Sequence, residues 1–282
     1  MSAHKHIETQ QIPTKALHAM LLGMVAPRPI AFVSTVDKDG KPNLSPFSFF
    51  NIFSSNPPIL IFSPSRRVRD NTEKDTLRNV RAVPEVVVNL VDKSLLERMT
   101  LTSFDFPPTT NEFQAAGLTT HPSTQVRPPY VAEAQVALEC KVNDVISLGK
   151  QGGAGNLVIC EVVCMHIEAD LMDADGRFLH NDFHPLARMG GDTYLEPSAR
   201  FEMDKLPRTV LGVHGLPKHI QESPVLTGEQ LAQLGKLERY PLAAAFDDLG
   251  IAIPATPLAQ HQLAAKLIDQ HQTAAAMALL CR

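Results

Sequence analysis

The chain lacks the features of membrane, secreted and nucleic-acid-binding proteins. None of its apolar runs approaches the ~20 residues that a membrane-spanning helix needs. The first residues, Met-Ser-Ala-His-Lys-His, lack the basic region and apolar core of a signal peptide. The 26 basic side chains are outnumbered by 30 acidic ones, whereas proteins that bind the phosphate backbone are normally basic. We therefore expect a cytoplasmic protein that binds no membrane and no nucleic acid.

Cysteine is also scarce, and its spacing does not indicate redox or zinc chemistry. The separation of Cys160 and Cys164 does not match the Cys-x-x-Cys motif of such sites. Both residues and Cys140 lie in apolar, strand-like sequence, so we expect buried and inert thiols. The fourth cysteine is Cys281.

No metal-binding motif is convincing. His180 and His184 could share a metal only if both lay on one face of a helix, and Pro185 disfavours helix at His184. The turn sequence Asp173–Gly176 lacks the later ligands of a calcium loop. The sequence therefore predicts no metal site.

A dinucleotide-binding fingerprint is missing as well. The glycine-rich stretch at 152–155 lies between two β-rich runs, so it predicts a hairpin and not a phosphate-binding loop. The predicted strands are closely spaced, with few helices between them, which favours an antiparallel barrel over a doubly wound sheet. These strands are Ile30–Val36, Ile59–Ser63, Glu85–Val91, Val131–Ser147 and Leu157–Glu168. Asp39–Gly40 supplies a hairpin turn.

Two helical regions are predicted. The segment from Asp70 to Arg81 looks helical, with Asn71 as its N-cap. Beyond about Leu195, prolines divide the chain into short pieces, and Leu226–Tyr240 and Leu258–Leu280 have helical composition. In the first of these pieces Thr227 and Gln230 fit a capping box. We expect one domain over residues 1–198 and a helical extension over 199–282.

A series of short motifs along the first domain carries the functional signal. Each motif alone is weak evidence for a protein family. Their order and spacing over roughly Leu17 to Leu195 together are strong evidence. They are Pro27-Arg-Pro-Ile, Asn43-Leu-Ser-Pro-Phe-Ser-Phe-Phe-Asn51, Asn56-Pro-Pro, Lys74-Asp-Thr-Leu-Arg-Asn79, Val86-Val-Val-Asn-Leu and Pro185-Leu-Ala-Arg-Met-Gly-Gly-Asp-Thr-Tyr194. Together they resemble the flavin reductase-like, FMN-binding split-barrel family, and most closely its flavoredoxin-type branch.

The resemblance implies a mainly β fold, an antiparallel split β-barrel with peripheral helices, here followed by the helical C-terminal extension. It implies a homodimer with one FMN per subunit near the interface. The turn from Ser45 to Ser48 would meet the flavin ring, and the block from Lys74 to Thr76 would lie near the phosphate. The cofactor-binding residues implied in this way are Ser45, Pro46, Phe47, Ser48, Asn51, Ser63, Lys74, Asp75, Thr76 and Tyr194.

The phosphate assignment also makes chemical sense by itself. Lys74 supplies a point charge and Thr76 a hydroxyl donor. If a helix begins here, its first amides add donors for an anion. Two alternatives stay open: the phenylalanines of 47–50 could be ordinary core residues, and the lysine block a solvated helix start.

The expected reaction is electron transfer from NAD(P)H to flavin or a small acceptor, and the weak catalytic candidates are His184 and Arg188. Many NADH-using members of this family have a histidine where this chain has Asn156. Two alternatives therefore remain. The chain could be an FMN-binding electron carrier without turnover, or a flavin-less protein that acts as an interaction module through its helical tail.

Overall fold

The chain divides into two compact units, Met1–Arg200 and Phe201–Arg282. The computed structural model describes residues 4–107, 110–197, 199–203 and 205–282. Ser198, where the sequence predicts the end of the first domain, lies outside the described residues. Within the described part of the chain, none of the helices is long and apolar enough to cross a membrane.

The first unit is built mainly from strands. In chain order they are β1 (Arg28–Pro29), β2 (Ala31–Val36), β3 (Pro42–Phe47), β4 (Phe50–Ser55), β5 (Pro58–Phe62), β6 (Glu85–Leu90), β7 (Thr120–His121), β8 (Tyr130–Val131), β9 (Val136–Ser147), β10 (Asn156–Ile167), β11 (Ala187–Arg188) and β12 (Tyr194–Leu195). Its helices are α1 (Thr14–Met24), α2 (Asp75–Ala82), α3 (Leu96–Leu101) and α4 (Glu112–Ala115).

Seven strands form one antiparallel sheet, in the spatial order β3-β2-β6-β9-β10-β5-β4. Two small sheets, β1-β11-β12 and β7-β8, accompany it. The predicted mainly β, antiparallel architecture with peripheral helices is therefore confirmed. The long β9–β10 hairpin, which encloses the glycine-rich stretch at 152–155, is also as predicted.

The hairpin between β2 and β3 leads the chain to the turn after β3. Gly40 has φ +82°, a conformation that costs glycine little. The Asp37 carboxylate accepts hydrogen bonds from the backbone N–H of Asp39 and Lys41, each at 2.9 Å. The sequence predicted this turn correctly because an Asp-Gly pair between two apolar runs is a strong hairpin signal.

Strand β2 is buried on both faces, because successive side chains of a strand point in opposite directions. Phe32 enters a core cluster with Leu44 on one face. Val33 enters a second cluster with Phe62 on the other. Burial of this kind holds β3, and the turn that follows it, firmly in place.

Two local predictions were wrong in detail. Asn71 is not the N-cap of α2, because it adopts a left-handed conformation with φ +57°. Helix α2 begins at Asp75, with Lys74 as the N-cap. The run predicted as one strand from Val131 to Ser147 is interrupted, so that β8 and β9 are separate strands.

The second unit is helical and has its own core. Its helices are α5 (Lys218–Gln221), α6 (Gly228–Gly235), α7 (Ala244–Asp247), α8 (Pro257–Asp269) and α9 (Thr273–Leu280). Side chains from these helices, among them Ile220, Leu234 and Phe246, form one buried cluster. The predicted capping box is confirmed: Thr227 Oγ1 accepts from the Gln230 N–H, and the Thr227 N–H donates to Gln230 Oε1.

Candidate functional site

The turn after β3 forms the first wall of the candidate site. Ser45 is almost fully buried, and Phe47 packs on Phe62 with ring centroids 5.4 Å apart. The contact with Phe62 buries the Phe47 ring and leaves the space beside Pro46 and Ser48 open. Both of those residues line a cavity of about 190 Å³.

The remaining walls of this cavity come from distant parts of the chain. Helix α3 and the residues after it contribute Met99, Thr100 and Ser103. The β11–β12 hairpin contributes Arg188 and Tyr194. We call this space the ring cavity; it is lined by Ile30, Pro46, Phe47, Ser48, Met99, Thr100, Ser103, Arg188 and Tyr194.

Arg188 and Tyr194 form a fixed pair in that wall. The guanidinium carbon of Arg188 lies 4.5 Å from the centre of the Tyr194 ring. Arg188 Nη2 also donates to the Gly191 carbonyl at 2.7 Å. A cation over an aromatic face next to an apolar cavity can hold a flat ring and attract negative charge on it.

The start of α2 forms a second part of the site. Lys74 is half-buried, and its Nζ lies 5.2 Å from the centre of the Phe47 ring. Among the described carboxylates, none lies within ion-pair distance of Lys74. Burial lowers the pKa of this ammonium, and the nearby Arg67 lowers it further, while Asp105 acts in the opposite direction. A partly desolvated cation at a helix N-terminus is well suited to hold a phosphate.

Thr76 takes part in a hydrogen-bond network. Its Oγ1 donates to Asn43 Oδ1 at 3.0 Å, and Asn43 Nδ2 donates to Glu112 Oε1 at 3.0 Å. The hydroxyl proton expected to face a phosphate thus points to Asn43. The backbone N–H of Thr76, in the first turn of α2, is the donor that remains for an anion.

Asp75 lines the same region, but its carboxylate forms an ion pair with Arg78. That pairing offsets the negative charge that Asp75 would otherwise present to a phosphate. The cavity around the start of α2, which we call the anion end, is lined by Asn43, Leu44, Ser45, Arg67, Lys74, Asp75, Thr76, Thr102, Ser103, Phe104, Asp105, Phe106 and Glu112.

An open cavity of about 1030 Å³ lies beside both spaces, because Ser103 lines all three. Asp105 is paired with two of the basic side chains in its lining. It forms an ion pair with Arg67 at 2.5 Å and another with Arg69. The hydrogen bond from Arg67 holds the pKa of Asp105 below its usual value. The exposed ring of Phe104 lies on the wall of this cavity.

Sequence reasoning missed the contributions of Thr100, Ser103 and Asp105. The signal was the three hydroxyl residues Thr100, Thr102 and Ser103, which lie at and just after the end of α3. Without the fold, nothing connects these residues to the turn after β3 more than fifty residues earlier.

Three predicted site residues lie outside the linings of these cavities. Asn51 is exposed on β4, and its side chain accepts from the Ile52 N–H. Ser63 follows β5, and its N–H donates to the Phe49 carbonyl. His184 is exposed and lies 3.4 Å from an Arg200 nitrogen. The structure brings the other predicted residues together at the ring cavity or the anion end.

Asn156 is also turned away from the cavities. It is buried at the start of β10, where its Nδ2 donates to the Pro64 carbonyl at 3.0 Å. The side chain at this position therefore stabilises the loop after β5.

The site combines a cavity beside two aromatic side chains with a cationic end at a helix N-terminus. The ring cavity has mixed apolar and polar walls. At the anion end, no described carboxylate lies within ion-pair distance of the Lys74 ammonium. One residue, Ser103, lines both, so one elongated molecule could occupy the two. Residues from Ser45 to Ser48, with Arg188 and Tyr194, would hold the ring, and Lys74 with the amides of α2 would hold the phosphate.

Comparison with known proteins agrees with this chemistry. A model of the family described as flavin reductase like domain matches residues 24–186, more than half of the chain. Nitrilotriacetate monooxygenase component B from Bacillus cereus is 33% identical with a TM-score of 0.68, over 72% of this chain and 100% of that one.

Two further solved structures are similar. The 2-nitrobenzoate 2-nitroreductase NbaA from Pseudomonas fluorescens is 31% identical with a TM-score of 0.65, over 72% of this chain and 97% of that one. A split-barrel-domain structure from Shewanella frigidimarina is 21% identical with a TM-score of 0.60, over 72% of this chain and 100% of that one. The predicted split-barrel fold is therefore confirmed.

Proposed function

Because this chain belongs to the flavin reductase-like family, we propose that it is an FMN-dependent oxidoreductase. It passes electrons from a reduced nicotinamide to flavin or to another small acceptor. The observation that carries the proposal is the adjacency of the ring cavity to a helix N-terminus bearing Lys74. A flavin with a single terminal phosphate matches this arrangement, and its bound ring supplies the redox chemistry.

The protein's own residues bind and orient. Pro46 and Ser48 set the position of one ring edge. Arg188, fixed against Tyr194, would supply a positive charge to a bound flavin ring, and a preorganised charge of this kind needs no rearrangement during the reaction. Hydride transfer between two aligned rings requires chiefly proximity and orientation. No essential acid or base is needed among the side chains that line the cavity.

The phosphate assignment is tested by Lys74→Ala. We expect FMN affinity to fall by about 1.5–3 kcal/mol, the usual worth of a hydrogen bond to a charged group. That loss corresponds to roughly 10- to 150-fold in Kd. Fluorescence titration of apoprotein with FMN measures it.

Lys38→Ala is the matched control, because the Lys38 side chain is 82% exposed and that of its ion-pair partner Asp39 is 74% exposed. Its Kd should be unchanged. Equal affinities for both variants would show that the phosphate binds elsewhere.

A second candidate function is an FMN-binding electron carrier that does not turn over nicotinamide. The burial of Asn156 favours it, because the position offers no proton-carrying side chain to the site. NADH and NADPH oxidation assays with excess acceptor separate the two functions. Turnover with either nucleotide supports the oxidoreductase. Reduction only by a protein or chemical donor supports the carrier.

We also propose a homodimer. Strand β4 is an edge strand of the large sheet, and Ile52 and Phe53 on it are 62% and 64% exposed. Unpaired strand edges with apolar side chains tend to be covered by another chain. A second copy of this chain is the occupant we propose. The relative described as component B of a monooxygenase suggests that reduced flavin could then serve a partner oxygenase.

A further inference from the structure

A second cluster of reactive side chains lies outside the linings of the three cavities described above. Glu139 on β9 and Cys164 and His166 on β10 each point one ligand-type atom into a common space. These three atoms lie within 4.8 Å of one another. Glu139 and Cys164 are direct partners in the β9–β10 ladder, so the backbone itself brings the two side chains together.

Glu139 is a fully buried carboxylate. The backbone N–H groups of Thr124 and Gln125 donate to its two oxygens at 2.7 and 2.6 Å. The group is therefore a rigidly held oxygen ligand.

His166 is equally well oriented. Its Nε2 lies 2.5 Å from Glu139 Oε1. Its ring stacks on Tyr130 with centroids 4.4 Å apart and an interplanar angle of 20°, and Tyr130 packs in turn against His121. Metal-binding histidines are normally fixed in this manner by the residues around them.

Cys164 completes the cluster. In contrast to Cys140 and Cys160, it is only partly buried, so solvent and ions can reach its sulfur. The Thr124 hydroxyl lies 3.1 Å from Glu139 Oε1 and 3.4 Å from Cys164 Sγ, so one side chain contacts two members of the cluster.

We propose that Glu139, Cys164 and His166 form a zinc-binding site. Thiolate sulfur, imidazole nitrogen and carboxylate oxygen are all common Zn²⁺ ligands in tetrahedral sites, and three protein ligands leave the fourth position to water. The two negative ligands balance the charge of the ion.

Binding needs only small proton shifts. Cys164 releases its thiol proton to solvent. Neutral His166 moves its ring proton from Nε2 to Nδ1, so that the Nε2 lone pair faces the metal. Glu139 exchanges its bond from His166 for the ion and keeps its backbone donors. The ion would tie β9, β10 and the Thr124–Gln125 segment together.

The test uses the full chain, stripped of metal by chelator and titrated with Zn²⁺ by calorimetry. We expect one Zn²⁺ per chain. Cys164→Ser and His166→Gln should each weaken binding by at least about 10-fold, since even the partners of ligands are worth about 10- to 100-fold. Cys281→Ser, which removes the exposed thiol of the other unit, is the matched control and should bind as the wild type does.

Cobalt substitution reports directly on thiolate ligation, and its decisive measurement is made on the wild-type protein. Wild-type and Cys281→Ser protein with Co²⁺ should show a thiolate-to-metal charge-transfer band, and Cys164→Ser should lack it. The proposal is overturned if wild-type protein shows no such band. It is also overturned if wild-type protein binds Zn²⁺ no more tightly than Cys164→Ser.

Discussion

Three properties of Lys74 favour the binding of an anion. It is the N-cap of α2, it lies against the Phe47 ring, and its pKa is lowered chiefly by burial. A cation that loses solvation in this way is stabilised by a bound anion, and the neighbouring helix amides favour the same ligand. The phosphate of the proposed FMN would supply this anion.

Two single substitutions distinguish a residue that contacts the flavin from a residue that donates a proton. Arg188→Ala removes the contact with Tyr194, and cation–π contacts are worth about 0.5–2 kcal/mol. We expect kcat/KM to fall by roughly 2- to 30-fold. The flavin absorbance should shift as well, because a charge beside the ring is lost.

His184→Ala is the companion variant. Because His184 lies outside the cavity linings, we expect kcat to stay within about 2-fold, as for a typical surface substitution of up to about 0.5 kcal/mol. Steady-state kinetics at saturating flavin measures both variants. A loss of about 10²–10⁴-fold in His184→Ala, with flavin and assembly intact, would identify it as a proton donor.

The residue scale also shows where sequence reasoning stops. Basic side chains and a helix near Lys74 are local signals in the sequence, and the role of Lys74 at a phosphate stays a prediction. Asn71 was misassigned as an N-cap, because its side chain instead accepts from Arg66 and donates to the Lys150 carbonyl. The Lys150 carbonyl lies 79 positions further along the chain, and no local sequence pattern predicts this contact.

At the scale of elements, strands were predicted best where both faces are buried. β2 and β6 read as continuous apolar, β-branched runs for this reason. The predicted helix Leu258–Leu280 is in fact two helices, α8 and α9, separated at His271, which has φ +61°. The sequence did not predict this break between the two helices, because the break contains neither glycine nor proline.

The register of the β9–β10 pair brings together residues that no sequence motif connects. Residues Glu139, Cys164 and His166 meet only because β9 and β10 pair with a register shift between Val162 and Cys164. The sequence expectation of no metal rested on spacings along the chain: those of Cys160 and Cys164, of His180 and His184, and of the turn at 173–176. Spacing along the chain does not reveal ligands that lie on opposite strands.

The capping box of α6 gives a prediction at this scale. Thr227→Ala removes the side-chain acceptor for the Gln230 N–H. We expect the second unit to lose about 0.5–2 kcal/mol of stability, the usual cost of losing an N-cap. Urea unfolding followed by circular dichroism measures this loss.

Thr273→Ala is the matched control, because Thr273 is the first residue of α9, where the N-cap Gln272 makes no side-chain capping bond. Its stability should change by less than about 0.5 kcal/mol. Equal losses in the two variants would show that the capping box contributes nothing measurable.

At the scale of the whole molecule, truncation tests whether the first of the two compact units folds alone. Arg200 belongs with the first unit, because its guanidinium donates to the Phe183 carbonyl at 2.7 Å. The family match ends at residue 186, so the second unit lies beyond it. We expect a chain truncated after Arg200 to fold and to retain FMN.

Light scattering of the full and truncated chains also tests the homodimer. If β4 forms the contact, both should be dimers at micromolar concentration. Ile52→Lys should weaken the dimer, because a charge on an exposed strand edge opposes pairing. Monomeric full-length protein would contradict the proposed assembly. Monomeric truncated protein alone would assign the contact to the second unit.

The identity of the bound cofactor tests the central claim most directly. The purified full-length chain, after reconstitution with a mixture of FMN and FAD, is denatured and the released flavin is identified by mass spectrometry. The account predicts one FMN per chain, because the anion end around Lys74 suits one terminal phosphate. Release of FAD, or of no flavin at all, would contradict it.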